Sequence, residues 1–321
     1  MAFDLTADQR DLVQGMRMLC TGRFRLDDVR QIERSGRLDR AGWRELVQAG
    51  VFGLRVAEEV GGLGLGIVES TLVFEELGRH LVPGPLVGTE IATVCGLVTA
   101  DAGHIVGVVD RGGAPMVVEH FADLDRILVL DPTGVWSVAP SDVSVERIER
   151  PLDPLTPVSR VTGPLPRGEQ VGDAAAGRQR WLDGAVLTSA LLVGLAQAAT
   201  DLAVDYAKQR EQFGRPIAGF QAVKHLLADM QAHTTAAQAA VYAAAATLDD
   251  PSVGDVARAV AAAKITSGQA AVHAGRDGIQ VHGGMGFTWE VPAHLYLKRA
   301  QLLNTTFGTP DAHAVVLAER L

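Results

Sequence analysis

The chain has 321 residues, of which 47 % are hydrophobic and only 5 % aromatic, with a formal net charge of −9. That length supports one large or two to three small domains around a substantial core, and the absence of a long basic run excludes a nucleic-acid footprint. Cys20 and Cys95 form neither a metal-type spacing nor a disulfide framework and read as small buried hydrophobes.

The opening MAFDLTADQR is too polar and charged for a secretory signal, and no apolar run is expected to reach membrane-spanning length. A soluble cytoplasmic protein is the expectation. Residues 1–100 read as a helical domain. LTADQRDLVQGMRMLCTGRF places Leu12, Met16 and Met18 near one face, with Thr6 or Asp8 as the cap. AGWRELVQAGVFGL is a second helix, ending at Gly50 or Gly53. EEVGGLGLGIV must be a loop, because Gly61, Gly62, Gly64 and Gly66 would be costly in a helix. VESTLVFEELGRHLV resumes the helix, which Pro83 and Pro85 stop.

Residues 101–178 change character. HIVGVVD, APMVVEH, DRILVLD and GVWSVAP are β-branched runs separated by Gly, Pro and Asp, the pattern of a small antiparallel β-domain. PLDPLTPVSRVTGPLPRGEQ is Pro-rich and reads as extended strand and connector.

Residues 179–321 are helical again. WLDGAVLTSALLVGLAQAATDLAVDYAKQRE puts Leu187, Leu191, Leu195, Leu202 and Tyr206 at helical spacing. FQAVKHLLADMQAHTTAAQAAVYAAAATL is a second long helix, Pro251 starts a third, and DAHAVVLAERL makes a short last one. The abundant Ala allows these helices to approach closely in a bundle.

Two stretches carry chemistry. In YAKQREQFGRPIAGFQAVKHLLADM, residues 206–230, Arg210 falls in the last turn of a helix, beside Gln212 and Phe213. A guanidinium there suits a phosphate or carboxylate; the bland alternative is that Arg210 caps helix carbonyls and Phe213 fills the core. In GIQVHGGMGFTWEVPAHLYLKRA, residues 278–300, Gly283, Gly284 and Gly286 permit close backbone approach, and Gln280 precedes them at a helix end. No hydrophobic strand precedes this run or EEVGGLGLG, so neither is a dinucleotide fingerprint. His282 and His294 read as loop and helix-surface residues. Lys224 and His225 are expected to face solvent, and Lys264 to lie along an interface with its amine outward.

Together these stretches resemble the acyl-CoA dehydrogenases over nearly the whole chain. WRELVQAGVFGLRVAEEVGGLGLG, FEELGRHLVPGP, REQFGRPIAGFQAVKH and QVHGGMGFTWEVP carry the resemblance. It implies a mainly α fold: an N-terminal helical domain, a middle β-domain, here reduced, and a C-terminal four-helix bundle. It also implies FAD and α,β-desaturation of an acyl-CoA thioester. In that family the FAD lies across a subunit interface, and the neighbouring subunit's contributions match Arg210, Gln212, Phe213, Gln280, Gly283 and Gly284 here.

The departures are as telling. The family's flavin-packing stretch, a T-x-P-x-A-G-S-D pattern followed by an aromatic-Ile-Thr strand, is not found in residues 101–178. The base that takes the α-proton is a glutamate in one of two places. Ungapped counting puts the first at Phe307 and the second at Gly184 or Ala185, none of which accepts a proton. Asp183 is the nearest rescue candidate; Glu211, Glu290 and Glu319 are other carboxylates, and Glu290 reads as a structural hydrogen-bonding residue. No catalytic residue and no metal ligand is therefore assigned. The pattern resembles the short subunits of heteromeric (α2β2) acyl-CoA dehydrogenases in actinobacterial steroid catabolism. That implies a full-length partner subunit, a shared FAD, a steroid-derived acyl-CoA and an electron-transfer flavoprotein as acceptor. The alternatives are a self-sufficient homo-oligomeric enzyme with a relocated base such as Asp183, and a flavin-free binding protein.

Overall fold

The computed structural model describes residues 4–113 and 115–320. The elements in chain order are α1 (Ala7–Arg23), α2 (Leu26–Val29), α3 (Gln31–Ser35), α4 (Arg40–Gln48), α5 (Ile67–Arg79) and α6 (Leu86–Val94). Strands β1 (Val106–Asp110), β2 (Val117–Glu119), β3 (Arg126–Asp131), β4 (Gly134–Val138), β5 (Val145–Arg147), β6 (Val158–Val161) and β7 (Glu169–Gly172) follow. Then come α7 (Ala174–Gln209), the short strands β8 (Glu211–Gln212) and β9 (Arg215–Pro216), α8 (Gln221–Asp249), α9 (Val256–His282), α10 (Ala293–Leu303) and α11 (Pro310–Ala318). Met1–Phe3 of the opening segment, Ala114 of the second expected strand and Leu321 of the last helix lie outside the described residues.

The chain groups into two compact units, each built from separate stretches: Arg23–Ser70 with Pro83–Leu187, and Met1–Gly22 with Thr71–Val82 and Thr188–Leu321. The first is mixed. Its larger sheet has the order β1-β3-β4-β7 and its smaller one β2-β6-β5. The sheets are not wholly antiparallel as expected: β1 and β3 run parallel, with Val106 opposite Arg126. The chain leaves β1, forms β2 in the other sheet, turns at Phe121–Asp123 and re-enters β3 at the starting end, a crossover that only a parallel pair satisfies. Val109, Val118, Ile127, Val129, Trp136, Val138 and Val161 form the core of this β-region.

The second unit is helical. Thr6 and Gln9 form a reciprocal capping box at the start of α1, with the Gln9 N–H donating to Thr6 Oγ1 at 3.2 Å and the Thr6 N–H to Gln9 Oε1 at 3.0 Å. The buried stripe of α1 is Met16 and Cys20, four residues apart, whereas Met18 is 69 % exposed. Met18 sits two positions from Met16, about 200° round the helix, so it cannot share that face. Helices α5 and α7 touch through their backbones: an added Cβ at Gly78 would lie 2.2 Å from Leu191 O, and one at Gly194 2.0 Å from Glu75 O. Only glycine fits at this crossing. Helix α9 packs against α8, α10 and α11.

Pro251 does not begin α9. It opens a 3-10 turn capped by Asp250, and α9 starts at Val256 with the Asp255 carboxylate accepting from the Arg258 N–H at 2.9 Å. Helix α7, contrary to expectation, is long and apolar enough to cross a membrane by length and composition. Yet 83 % of its most apolar stretch is buried within the protein, so it is a core helix.

Candidate functional site

Helix α7 stops at Gln209, so Arg210 lies just past its last turn rather than in it. The Arg210 N–H still donates to Tyr206 O, and the Ile217 N–H returns to Arg210 O, both at 2.8 Å. Between them β8 and β9 form a hairpin whose tip is Phe213 and Gly214, at φ 51° and 77°. Two consecutive positive φ values are what a two-residue hairpin turn of this hand demands. Glycine takes them freely; phenylalanine does so at a steric cost.

The hairpin is exposed. Arg210 and Gln212 face solvent, and Phe213 is 92 % exposed, touching the edge of Phe220 at a ring-centroid distance of 6.0 Å. The core-filling alternative for Phe213 is therefore wrong: the hairpin lifts it away from the bundle. Arg215 lies over the face of Phe220, 4.2 Å from its centroid, which stiffens the base of the hairpin.

Gln280 is exposed in the last turn of α9, with its carbonyl accepting from the Gly283 N–H. Gly283 has φ 59°, and a Cβ added at Gly283 or Gly284 would meet no atom within 4 Å. Gly286 differs, since a Cβ there would lie 2.7 Å from Ile279 O; it seats the turn against α9. The two stretches leave neighbouring helix ends, because Tyr206 of α7 stacks on His282 of α9 with ring centroids 4.3 Å apart. His282 is thus no loop residue. It ends α9, is buried, and shares a 2.7 Å hydrogen bond with Gly278 O through Nδ1; burial pushes its pKa down. His294, expected on a helix surface, is also buried, edge-on to Trp289 at 4.7 Å. Beyond Gly286 the turn exposes Phe287 and part of Trp289. Lys224 and His225 are exposed on the first turn of α8, as expected.

The positions at which a base is expected are sealed. Phe307 is 6 % exposed at φ 53°. Its carbonyl bonds His313 Nε2 at 2.9 Å. Gly184 and Ala185 are buried within α7. Asp183 is fully buried, paired with Arg55 at 2.9 Å and Arg180 at 3.1 Å, and accepts from Gln179 Nε2 at 3.0 Å. Glu90 joins this cluster through Arg55 at 3.4 Å, and its burial raises its pKa against the opposing pull of Arg55. Two carboxylates and two guanidinium groups balance inside the mixed unit, which gives Asp183 a structural role in place of a free basic oxygen. Glu211, Glu290 and Glu319 are exposed; Glu290 stands in the turn before α10.

Lys264 overturns its surface reading. It is fully buried, and Nζ donates to Leu303 O, Asn304 O and Gly308 O at 3.1, 3.0 and 3.3 Å. Burial lowers its pKa to about 7, while three carbonyls match the three hydrogens of the ammonium form. Glu75 is a second buried charge that sequence reasoning missed. It accepts from Tyr242 Oη at 2.8 Å and Gln238 Nε2 at 2.7 Å, and burial raises its pKa. The available signal was a charged residue inside an otherwise apolar helical stripe. No cluster of three or more His, Cys, Asp or Glu placed to hold a metal occurs among the described residues.

Comparison with known proteins adds to this geometry. The descriptions "Acyl-CoA dehydrogenase, N-terminal domain" and "Acyl-CoA dehydrogenase, C-terminal domain" match residues 6–103 and 179–321. The acyl-CoA dehydrogenase IpdE2 of Mycobacterium tuberculosis is 35 % identical over 82 % of this chain and 80 % of its own length. FadE34 of the same organism is 34 % identical over 93 % of this chain, which spans only 45 % of that relative. Among solved structures, the ChsE4–ChsE5 complex from Mycobacterium tuberculosis aligns with a TM-score of 0.86 at 22 % identity, over 100 % of this chain and 98 % of the other. A variant of the Tcur3481–Tcur3483 steroid ACAD aligns with a TM-score of 0.84 at 24 % identity, over 97 % of each. At such identities the structural likeness is one of fold.

Proposed function

The chain belongs to the acyl-CoA dehydrogenase family, and on that premise we propose that it is the non-catalytic subunit of a heteromeric, FAD-dependent acyl-CoA dehydrogenase. The observation that carries this reading is the contrast between an open half-site and a closed one. Arg210, Gln212, Phe213, Gln280, Gly283 and Gly284 stand exposed on two turns that leave adjacent helix ends. The positions where the family's base would sit are Phe307, Gly184 and Ala185, all buried and none a proton acceptor.

The exposed set fits part of an FAD site. Arg210 supplies a fixed cation and planar donors for a diphosphate. Gln212 and Gln280 supply amides, and the Gly283–Gly284 backbone is open to close approach. No wall of this chain encloses them, so the rest of the site belongs to a full-length partner. There FAD, when bound, supplies the hydride acceptor, and the partner supplies the base that takes the α-proton. This chain orients the cofactor's diphosphate and, through Phe213 and the glycine turn, keeps water from that edge of the site. The resemblance of the sequence to the short subunits of heteromeric steroid-catabolism acyl-CoA dehydrogenases is the ground for an α2β2 assembly acting on a steroid-derived acyl-CoA in the cytoplasm; chains of the same fold occur in the ChsE4–ChsE5 complex and in a steroid ACAD. An electron-transfer flavoprotein is the acceptor the family implies.

Co-expression tests this. The lone chain is expected to purify colourless, and the chain with a full-length acyl-CoA dehydrogenase subunit to purify yellow, with one FAD per heterodimer. Arg210→Ala should empty the assembly of flavin; an assembly that keeps full flavin would sink the cross-interface role. Asp183→Asn addresses the self-sufficient alternative. Its expected effect is destabilisation of about 3 kcal/mol, since it leaves buried guanidinium groups unbalanced. A well-folded Asp183→Asn assembly with turnover lowered a thousandfold would instead make Asp183 the base.

A further inference from the structure

Helix α4 carries a face of hydrogen-bond donors. Arg40, Arg44 and Gln48 recur every four residues, so they share one side of the helix, and all three are exposed. The turn at 101–103 faces them across a cleft of about 310 Å³, whose wall also includes Trp43 and Val47. Gly53 lets that turn approach, since a Cβ there would lie 3.2 Å from the Cβ of Ala100.

The donors differ in what they already hold. Arg40 is anchored: Nη2 donates to Asp123 O at 2.7 Å and Nη1 to Asp125 Oδ2 at 3.4 Å, which fixes the guanidinium plane. Arg44 holds no hydrogen bond or ion pair among the described residues. Trp43 is 2 % exposed, and its Nε1 is buried with no acceptor among the described residues. The rest of the indole is accounted for. Phe52 stacks on it with ring centroids 4.9 Å apart, and a Cβ at Gly84 would lie 2.5 Å from Cζ3. Nε1 is on the indole edge opposite Cζ3, so the N–H is turned away from Gly84. A buried donor without an acceptor is costly and calls for one from elsewhere. One carboxylate, Asp101, stands in the facing wall, and its Oδ1 accepts from Thr99 Oγ1 at 2.7 Å.

We propose that this cleft binds a small organic carboxylate that also carries a hydroxyl group, an α-hydroxy acid in its simplest form. The ligand's carboxylate accepts from Arg44, from the unused N–H groups of Arg40 and from Trp43 Nε1, and its hydroxyl donates to Asp101. A planar guanidinium pair matches a planar carboxylate. Asp101 sets the charge: two guanidinium groups against one carboxylate leave a place for a single negative charge, and Asp125 already offsets part of Arg40, so a doubly charged phosphate is a poor fit. The site lies wholly in the mixed unit and does not depend on the flavin reading.

The test is a titration of the full chain with lactate, acetate and phosphate, read from the Trp43 indole N–H signal in a nitrogen-labelled sample. That signal is the one of four that Trp43→Phe removes. Lactate should move it and reach saturation, acetate should bind roughly tenfold more weakly, and phosphate should leave it in place. Arg44→Ala should weaken lactate roughly tenfold, and Asp101→Ala should bring lactate to the level of acetate. Both residues are exposed, and melting curves matching the wild type check that the variants fold. Should Trp43→Phe fail to fold, calorimetric titration of the Arg44 and Asp101 variants makes the same comparison. A Trp43 signal that lactate leaves unmoved, one that chloride moves as far, or a lactate affinity unchanged by Arg44→Ala would overturn the site. Phosphate binding tighter than lactate would overturn the carboxylate as its ligand.

Discussion

Two phenylalanines in the helical unit share a backbone conformation and nothing else. Phe213 at the hairpin tip and Phe307 before α11 sit at φ 51° and 53°, in the left-handed region that disfavours a side chain. Phe307 is 6 % exposed and Phe213 92 %. The strain at Phe307 is held by its surroundings: His313 takes its carbonyl, and Lys264 gathers the carbonyls of Leu303, Asn304 and Gly308 around the same turn. At Phe213 the chain offers little beyond the hairpin bonds and one edge contact with Phe220. Strained backbone persists where neighbours over-determine it. The inside of this protein does that for one turn and not for the other.

The largest effect should come from Phe307→Ala, which empties a packed site and keeps the unfavourable φ. A loss of about 3 kcal/mol in denaturant unfolding is expected. The same change at Phe213 should leave the stability of the lone chain almost untouched and act on the assembly. Equal losses at both sites would break the comparison.

Next is Lys264→Met, which strands three carbonyls and should cost about 2–3 kcal/mol. It also removes a pH slope. Lys264 has its ordinary value of 10.5 when unfolded and about 7 when buried, so the unfolded chain binds more protons between those values. Its contribution therefore rises with pH across that window, and Lys264→Met should flatten the stability profile there. An unchanged profile would mean that the three carbonyls hold the ammonium charged at every pH tested.

Phe213→Gly should act in the opposite sense. Relief of the positive φ is expected to stabilise the lone chain by about 1 kcal/mol, while affinity for the flavin-bearing partner falls. A destabilised lone chain would show that Phe213 is supported from within after all. The smallest effect belongs to Glu75→Gln, which asks whether charge as well as strain is held by the interior. Burial raises the folded pKa of Glu75, so the folded chain holds its proton more tightly. The stability from this group is present below the ordinary carboxylate range and is lost as pH rises through the raised value. Glu75→Gln should remove that decline, read from melting temperatures between pH 5 and 8.

Much of the helical architecture was legible because it is written in local signals. The apolar spacing of Leu187, Leu191 and Leu195 marked α7, Gly50 marked the end of α4, and Thr6 was one of the two caps expected for α1. Failures came where a local signal had two meanings. Pro251 suits a helix start and a 3-10 turn equally, and the cap at Asp255 decided between them. The strands β1 and β3 look alike however they pair, and the insertion of β2 between them made them parallel. The short helices α2 and α3 and the strand β5 carried too few residues to show a period.

The sequence by itself determined that the chain is a mainly helical member of its family and which residues at 210–214 and 280–284 are the ones to examine. It also determined that Phe307, Gly184 and Ala185 cannot accept a proton, since side-chain chemistry does not depend on the fold. Only the tertiary structure decided which faces are open. It placed Phe213 outside and Phe307 inside, turned Lys264 from an interface residue into a buried brace, and locked Asp183 between Arg55 and Arg180. Burial depends on what distant segments bring to a position, and the meeting of Arg55 with Asp183, or of Lys264 with Gly308, is set by packing that no local window contains.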